Sequence, residues 1–85
     1  MRVAIASALR SYTGSREHVA ASGATVGELL RSLDASFPGI RFRIVDEQER
    51  IRVHVRIFVN RELADLKRPV SEGDDVQILC ALSGG

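Results

Sequence analysis

A single apolar stripe at helical spacing separates two parts of this chain that otherwise alternate between apolar and polar residues. Its side chains recur at intervals of three and four residues, so they fall on one face of a helix; they are Val26, Leu29, Leu30, Leu33 and Phe37. Thr25 and Glu28 are spaced to form a capping box at its start, and Pro38-Gly39 ends it. A helix this short is marginal alone in water, so the stripe must be buried on a sheet.

The segment before the helix predicts a β-hairpin. Val3, Ile5 and Leu9 fall on one face of a first strand, with small or polar residues between them. Residues 11–16, which include a glycine and three serine or threonine residues, read as a turn, and residues 17–21 alternate again. We therefore expect two paired strands ahead of the helix.

The segment after the helix predicts the remaining strands. Its strongest signal is a run of β-branched residues at every second position: Val53, Val55, Ile57 and Val59. A turn is expected at 60–62, a short edge strand or turn near Leu63 and Leu66, and a second turn at 71–74. Alternation then predicts a last strand through Val76, Ile78 and Cys80.

Residues 40–50 receive no firm structure from the sequence. Four of them are apolar and can cover one end of the core: Ile40, Phe42, Ile44 and Val45. The polar run at 46–50 is expected to be a solvated loop.

The order of these elements indicates an α+β fold, with a mixed sheet of four or five strands packed on one main helix. We expect the first and last strands to lie side by side in the buried centre of the sheet. With 85 residues, the chain is expected to form one domain over 1–85, its core only just large enough to fold alone.

Charge and composition exclude several classes of function. Lys and Arg number 12 against 11 Asp and Glu, so the chain has no general field to attract nucleic acid or an anionic membrane. It contains no long apolar run, and its N-terminal apolar segment is too short for a signal peptide. The single Cys80 cannot form an internal disulfide. A cytoplasmic location is therefore expected.

The sequence closes on Gly84-Gly85, directly after the last alternating run. Two residues without side chains can lie extended in a narrow enzyme groove and present a carboxylate for activation. Once AMP is attached to that carboxylate, a thiol, persulfide or amine can displace the nucleotide. The alternative is an ordinary flexible terminus of small residues.

Four stretches together carry a resemblance to a known family: residues 24–30, 56–60, 71–76 and 83–85. They resemble the helix start, a turn-then-strand segment, the turn before the last strand and the C-terminal Gly-Gly of the ThiS/MoaD family of ubiquitin-like β-grasp sulfur carriers. The resemblance covers nearly the whole chain.

The resemblance implies a carrier that is acted upon rather than a catalyst. A ubiquitin-activating-type enzyme would use ATP to adenylate Gly85, and a persulfide donor would convert it to a thiocarboxylate. Leu82, Ser83 and Gly84 would be recognised as the tail, and no permanently bound cofactor is implied.

The resemblance also suggests the destination of the sulfur. Residues 37–40 look most like carriers dedicated to cysteine synthesis, whose partner is a cysteine synthase that supplies an aminoacrylate. The large subunit of molybdopterin synthase is the other expected partner. Two further functions stay open, namely a protein modifier attached to lysines and a non-covalent β-grasp binding module.

Several other residues are candidate sites. Phe58 and Leu79 fall on the outward register of their strands and can form a docking patch, unless residues 40–45 cover them. Arg52, His54 and Arg56 share one predicted strand face, which either meets an acidic partner or is simply solvated.

The remaining reactive side chains give weaker signals. Cys80 is flanked by apolar residues and reads as a small core residue rather than a reactive thiol. Neither histidine has metal-ligand spacing to other ligating residues, so no metal site is expected. No serine, histidine and acid pattern supports catalysis by the chain itself.

Overall fold

The computed structural model describes residues 1–81, which form one mixed five-stranded sheet with two helices. In chain order the elements are β1 (Arg2–Ile5), a 3-10 helix (Ser7–Leu9), β2 (His18–Ala20), α1 (Val26–Ser36), α2 (Ile40–Ile44), β3 (Val55–Val59), β4 (Glu62–Leu63) and β5 (Val76–Cys80). The strand order is β2-β1-β5-β3-β4. This arrangement confirms the predicted α+β class, and α1 is the predicted main helix.

The centre of the sheet is the contact between β1 and β5, the first and last strands, as predicted. They run parallel, whereas β1 with β2, β3 with β5 and β3 with β4 are antiparallel. Ile78 of β5 lies opposite Ile5 on one side and Ile57 on the other. All three side chains are almost fully buried, so this row of isoleucines is the middle of the core.

Helix α1 begins with the predicted capping interactions. The Thr25 hydroxyl oxygen accepts a hydrogen bond from the Glu28 backbone N–H at 3.2 Å. The Glu28 carboxylate in turn accepts from the Ala24 N–H at 3.2 Å, one residue before the expected donor. The apolar stripe faces the core, with Val26, Leu29, Leu30 and Leu33 buried and Phe37 at the C-terminal cap.

Replacing the cap tests how much α1 depends on it. We expect Thr25→Ala to lower the free energy of unfolding by about 1 kcal/mol, because the Glu28 N–H then lacks its acceptor. Thr25→Ser, which keeps the hydroxyl, is the matched control in urea unfolding. Equal losses in the two variants would show that the hydroxyl does not cap the helix.

Two predicted strands are shorter in the structure than their patterns suggested. β1 ends at Ile5, and Leu9 reaches the core from the 3-10 helix instead. β3 begins at Val55, because residues 53–54 form a turn and the Val55 N–H donates to the carbonyl of Arg52 at 2.9 Å. Val53 is consequently 88% exposed, and its assignment to the strand was wrong.

The segment without a predicted structure contains α2 and a loop. Ile40 and Ile44 are four residues apart on this one-turn helix, so both face inward, and Val45 is buried beside them. Phe42 lies on the opposite side and is 58% exposed, so the expectation that it covers the core was wrong. Residues 46–50 form the expected exposed loop, closed by the Asp46 carboxylate.

Two turns at one end of the sheet are tied together and fix the start of β5. Asn60 lies in the turn between β3 and β4; its amide donates to Asp74 at 3.0 Å and accepts from the Asp75 N–H at 2.9 Å. The Ser71 N–H donates to the second Asp74 oxygen at 2.8 Å. These bonds, that of Asn60 first, lower the pKa of Asp74 below its ordinary value.

Candidate functional site

The candidate site is the end of β5, from which the last residues of the sequence continue. β5 lies between β1 and β3, and the Ala81 N–H that follows it donates to the carbonyl oxygen of His54 at 2.6 Å. This bond extends the β3–β5 pairing to the last described residue. The predictions for Leu82, Ser83, Gly84 and Gly85 fall outside the described residues.

The outer face of the sheet carries the two residues of the predicted docking patch. Leu79 is 46% exposed and Phe58 is half-buried, on neighbouring strands. Residues 40–45 do not cover Leu79, because the buried residues among them pack into the core between the sheet and α1. Leu63 of β4 lies directly opposite Phe58 and is 65% exposed. Phe58, Leu63 and Leu79 therefore form an apolar patch, called here the outer-face patch.

Cys80 lies at the end of β5, partly buried and packed against the core. Burial raises the pKa of its thiol, and the positive charge of Arg43 nearby opposes this rise. A raised pKa keeps the thiol protonated near neutral pH and lowers its nucleophilicity. These properties match the expected small core residue.

The basic residues near this end of β5 are arranged differently from the prediction. Only Arg56 lies in β3, and its guanidinium turns toward the carbonyls of Val53 and Val55 at 2.6 and 3.1 Å. Arg52 and His54 precede the strand, so the three do not share a strand face. Arg52 stacks instead on Phe42, with its guanidinium carbon 4.7 Å from the ring centroid.

Three residues of this region were missed by sequence reasoning. Phe42 and Arg43 join Arg52 and His54 only because α2 packs beside the β3 entry turn. No sequence pattern signals that contact. Leu63 had a usable signal, since an apolar residue just after a hairpin turn lies opposite a residue of the preceding strand.

The part of the chain that the structure describes contains no cluster of three or more His, Cys, Asp or Glu side chains able to hold a metal ion. In residues 1–81, no helix combines the length and the apolar character needed to cross a membrane.

The mixed sheet with its central parallel pair and packed helix is the ubiquitin-like β-grasp fold. The chain belongs to the ThiS family, whose family model matches residues 3–85. The resemblance noted in the sequence is thereby confirmed.

Individual relatives of the chain are similar to it over most or all of its length. The sulfur carrier protein CysO of Mycobacterium tuberculosis is 37% identical over 89 residues, which span 98% of this chain and 96% of the relative. A chain in the crystal structure of the Amycolatopsis orientalis BexX/CysO complex superposes with a TM-score of 0.91 at 35% identity, covering 99% of this chain and 98% of that one. Small archaeal modifier protein 3 of Haloferax volcanii is 35% identical over 66 residues, 73% of this chain and 71% of the relative.

Proposed function

We propose that the chain is a sulfur carrier whose Gly85 carboxylate is adenylated and then converted to a thiocarboxylate. The observation that carries the proposal is the similarity to CysO, a sulfur carrier protein, across 98% of the chain. The fold supports it, since the pairing of β5 in the middle of the sheet continues to Ala81, four residues before Gly85.

The proposed chemistry has three steps. The Gly85 carboxylate attacks the α-phosphorus of ATP, and pyrophosphate leaves. A persulfide sulfur then attacks the acyl carbon and displaces AMP, which leaves an acyl disulfide to the donor. A thiol reductant supplies two electrons to the sulfur–sulfur bond, releasing the donor thiolate and the Gly85 thiocarboxylate. The chain's own residues position the tail, and the partner enzymes supply the catalysis.

Cysteine biosynthesis is the proposed destination of the sulfur, with molybdopterin as the second choice. The similarity to CysO over almost all of both chains favours the first. In that route the thiocarboxylate sulfur adds to an aminoacrylate held by a cysteine synthase. Purification of the tagged chain from its own organism separates the two, according to whether a cysteine synthase or a molybdopterin synthase large subunit is recovered.

Intact-protein mass spectrometry tests the proposed function. The chain is incubated with ATP, a persulfide donor, a thiol reductant and the adenylating enzyme of its own organism. We expect the mass to increase by one exchange of oxygen for sulfur, and only when ATP is present. No such increase with any adenylating enzyme of that organism would contradict the proposal.

The outer-face patch is the proposed docking surface for the adenylating enzyme. When a partner covers an exposed apolar group beside the tail, the free energy of binding becomes more favourable. We therefore expect Leu79→Asp to raise KM for the carrier about tenfold. Ala20→Asp is the matched control, since it places the same charge on the exposed edge strand β2. Equal KM values for the two variants would exclude the patch as a docking surface.

A protein modifier joined to lysines is the second candidate, favoured by the similarity to small archaeal modifier protein 3. An acyl-adenylate can pass to a lysine amine as well as to sulfur. The last lysine and arginine are Lys67 and Arg68, so trypsin would leave a long branch ending in Gly85 rather than a Gly-Gly remnant. Lysine peptides that carry this branch, found in cell extracts, would support the modifier.

A further inference from the structure

A basic cluster with one exposed aromatic ring stands beside the end of β5. Phe42, Arg43, Arg52 and His54 line a common depression of about 240 Å³. Arg52 is fixed there twice, by stacking on the Phe42 ring and by donation from its Nε to the Phe42 carbonyl oxygen at 2.8 Å. We call these four residues the arginine cluster.

The cluster has unused capacity to bind an anion. Among residues 1–81, the side-chain hydrogen bonds of Arg52 use only its Nε, and Arg43 and Arg52 form no ion pair. In contrast, the arginines at 31, 41 and 68 each pair with a glutamate. A guanidinium held over a ring by its Nε presents its terminal N–H groups as a planar fork, which suits a carboxylate.

The carboxylate of Asp46, which Arg52 influences, is already engaged in hydrogen bonds. Asp46 accepts hydrogen bonds from the Gln48 and Arg50 backbone N–H groups, at 2.9 and 3.0 Å, which close its own loop. The Arg50 N–H is the main cause that lowers the pKa of Asp46, and Arg52 adds only a small effect. The Arg52 guanidinium is therefore not paired with a carboxylate within the described part of the chain.

The position of the cluster determines what can reach it. The Ala81 N–H bonds to the carbonyl of His54, and Arg43 is close enough to influence the Cys80 thiol. The four residues from 82 to 85 span at most about 14 Å when extended. An enzyme that encloses the Gly85 carboxylate therefore places its cleft within about 14 Å of the end of β5, where the arginine cluster lies.

We propose that the arginine cluster binds carboxylate side chains on the rim of the cleft of the adenylating enzyme that receives the tail. This inference rests on the proposed function. A protein carboxylate fits better than a nucleic acid, because the cationic surface is one small depression on a chain of net charge +1. Complementary charge at a rim aligns the partners and accelerates encounter, while the chemistry is left to the enzyme.

Steady-state adenylation with the enzyme of the same organism tests the inference. We expect Arg43→Gln/Arg52→Gln to raise KM for the carrier about tenfold near 0.1 M salt, with kcat unchanged. The difference shrinks near 1 M salt, where the screening length falls from about 10 to about 3 Å. Arg43→Lys/Arg52→Lys keeps both charges and is expected to recover most of the loss.

The matched control is Arg2→Gln/Arg61→Gln, which removes two exposed arginines from the opposite end of the sheet. Arg2 begins β1, and Arg61 follows β3, which runs antiparallel to β5. Thermal unfolding verifies that every variant is folded. Equal KM values for the cluster and control variants, or a rise in KM that does not depend on salt, would overturn the inference. The proposed function would still stand if the unmodified chain acquires the thiocarboxylate. Failure of the unmodified chain to be charged would overturn both.

Discussion

Deletion of Gly85 is expected to abolish detectable sulfur loading while leaving the domain folded. The shortened chain still ends in a glycyl carboxylate, but that group stops one residue, about 3.5 Å, short of its position in the unmodified chain. Misplacement of a reacting group by about 1 Å can cost about 100-fold in rate, so we expect a loss greater than this. Intact-mass measurement of the thiocarboxylate formed over time gives the rate.

Gly85→Ala is the informative companion, because it keeps the length and the carboxylate and adds one methyl group. A loss as large as that of the deletion would indicate a slot too narrow for any side chain. Both variants keep every core residue found in the described part of the chain, so we expect unfolding free energies within about 0.5 kcal/mol of the unmodified chain. Normal loading by the deletion variant would contradict a specific acyl role for Gly85.

Ile78→Ala is expected to lower the free energy of unfolding by about 2–5 kcal/mol. Ile78 is fully buried between Ile5 and Ile57, so truncation opens a cavity under the middle of the sheet. Small domains have total stabilities of about 5–15 kcal/mol, so this single change removes a large share. Urea unfolding, followed by circular dichroism, measures the loss.

Ile78→Val is the graded control and is expected to cost about 0.5–1.5 kcal/mol, since it removes one methyl group and keeps the β-branch. Leu79→Ala, one residue along the same strand, removes a side chain that is 46% exposed and is expected to cost much less than Ile78→Ala. Equal losses at positions 78 and 79 would contradict the assignment of inner and outer faces in β5.

The sequence was sufficient to predict the elements whose capping residues and apolar spacing match the way they pack in the structure. Thr25 and Glu28 marked the start of α1, and its stripe left one face to bury. Once α1 required a sheet, the placement of the first and last strands in the centre followed. Those two strands set where Ala81, the last described residue, lies.

The failures arose where one pattern fits two structures. Val53 continues the alternation of β3, but residues 53–54 form a turn closed by the bond from the Val55 N–H to the Arg52 carbonyl, so Val53 lies outside the strand. Ile40, Phe42 and Ile44 alternate as a strand would, yet α2 buries the two isoleucines and exposes the ring. Tertiary contacts decide whether such a segment forms a strand, a helix or a turn, and the spacing of apolar residues in the sequence does not reveal those contacts.

The arginine cluster shows the same limit for the candidate site. Arg52 and His54 were noted in the sequence, but they were assigned to a strand face with Arg56. Phe42 and Arg43 lie about ten positions earlier and meet Arg52 and His54 only after α2 has packed. The outer-face residues Phe58 and Leu79 were predictable, because alternation in two neighbouring strands defines one face.

Fragmentation of the sulfur-loaded chain in the mass spectrometer tests the central claim most directly, because it assigns the sulfur to a residue. We expect every fragment that contains Gly85 to show one oxygen exchanged for sulfur, and fragments ending at or before Gly84 to be unchanged. Cys80 is the competing position, and a persulfide there would add a sulfur atom without loss of oxygen. Sulfur found on Cys80, or loading that persists without the Gly85 carboxylate, would contradict the carrier mechanism.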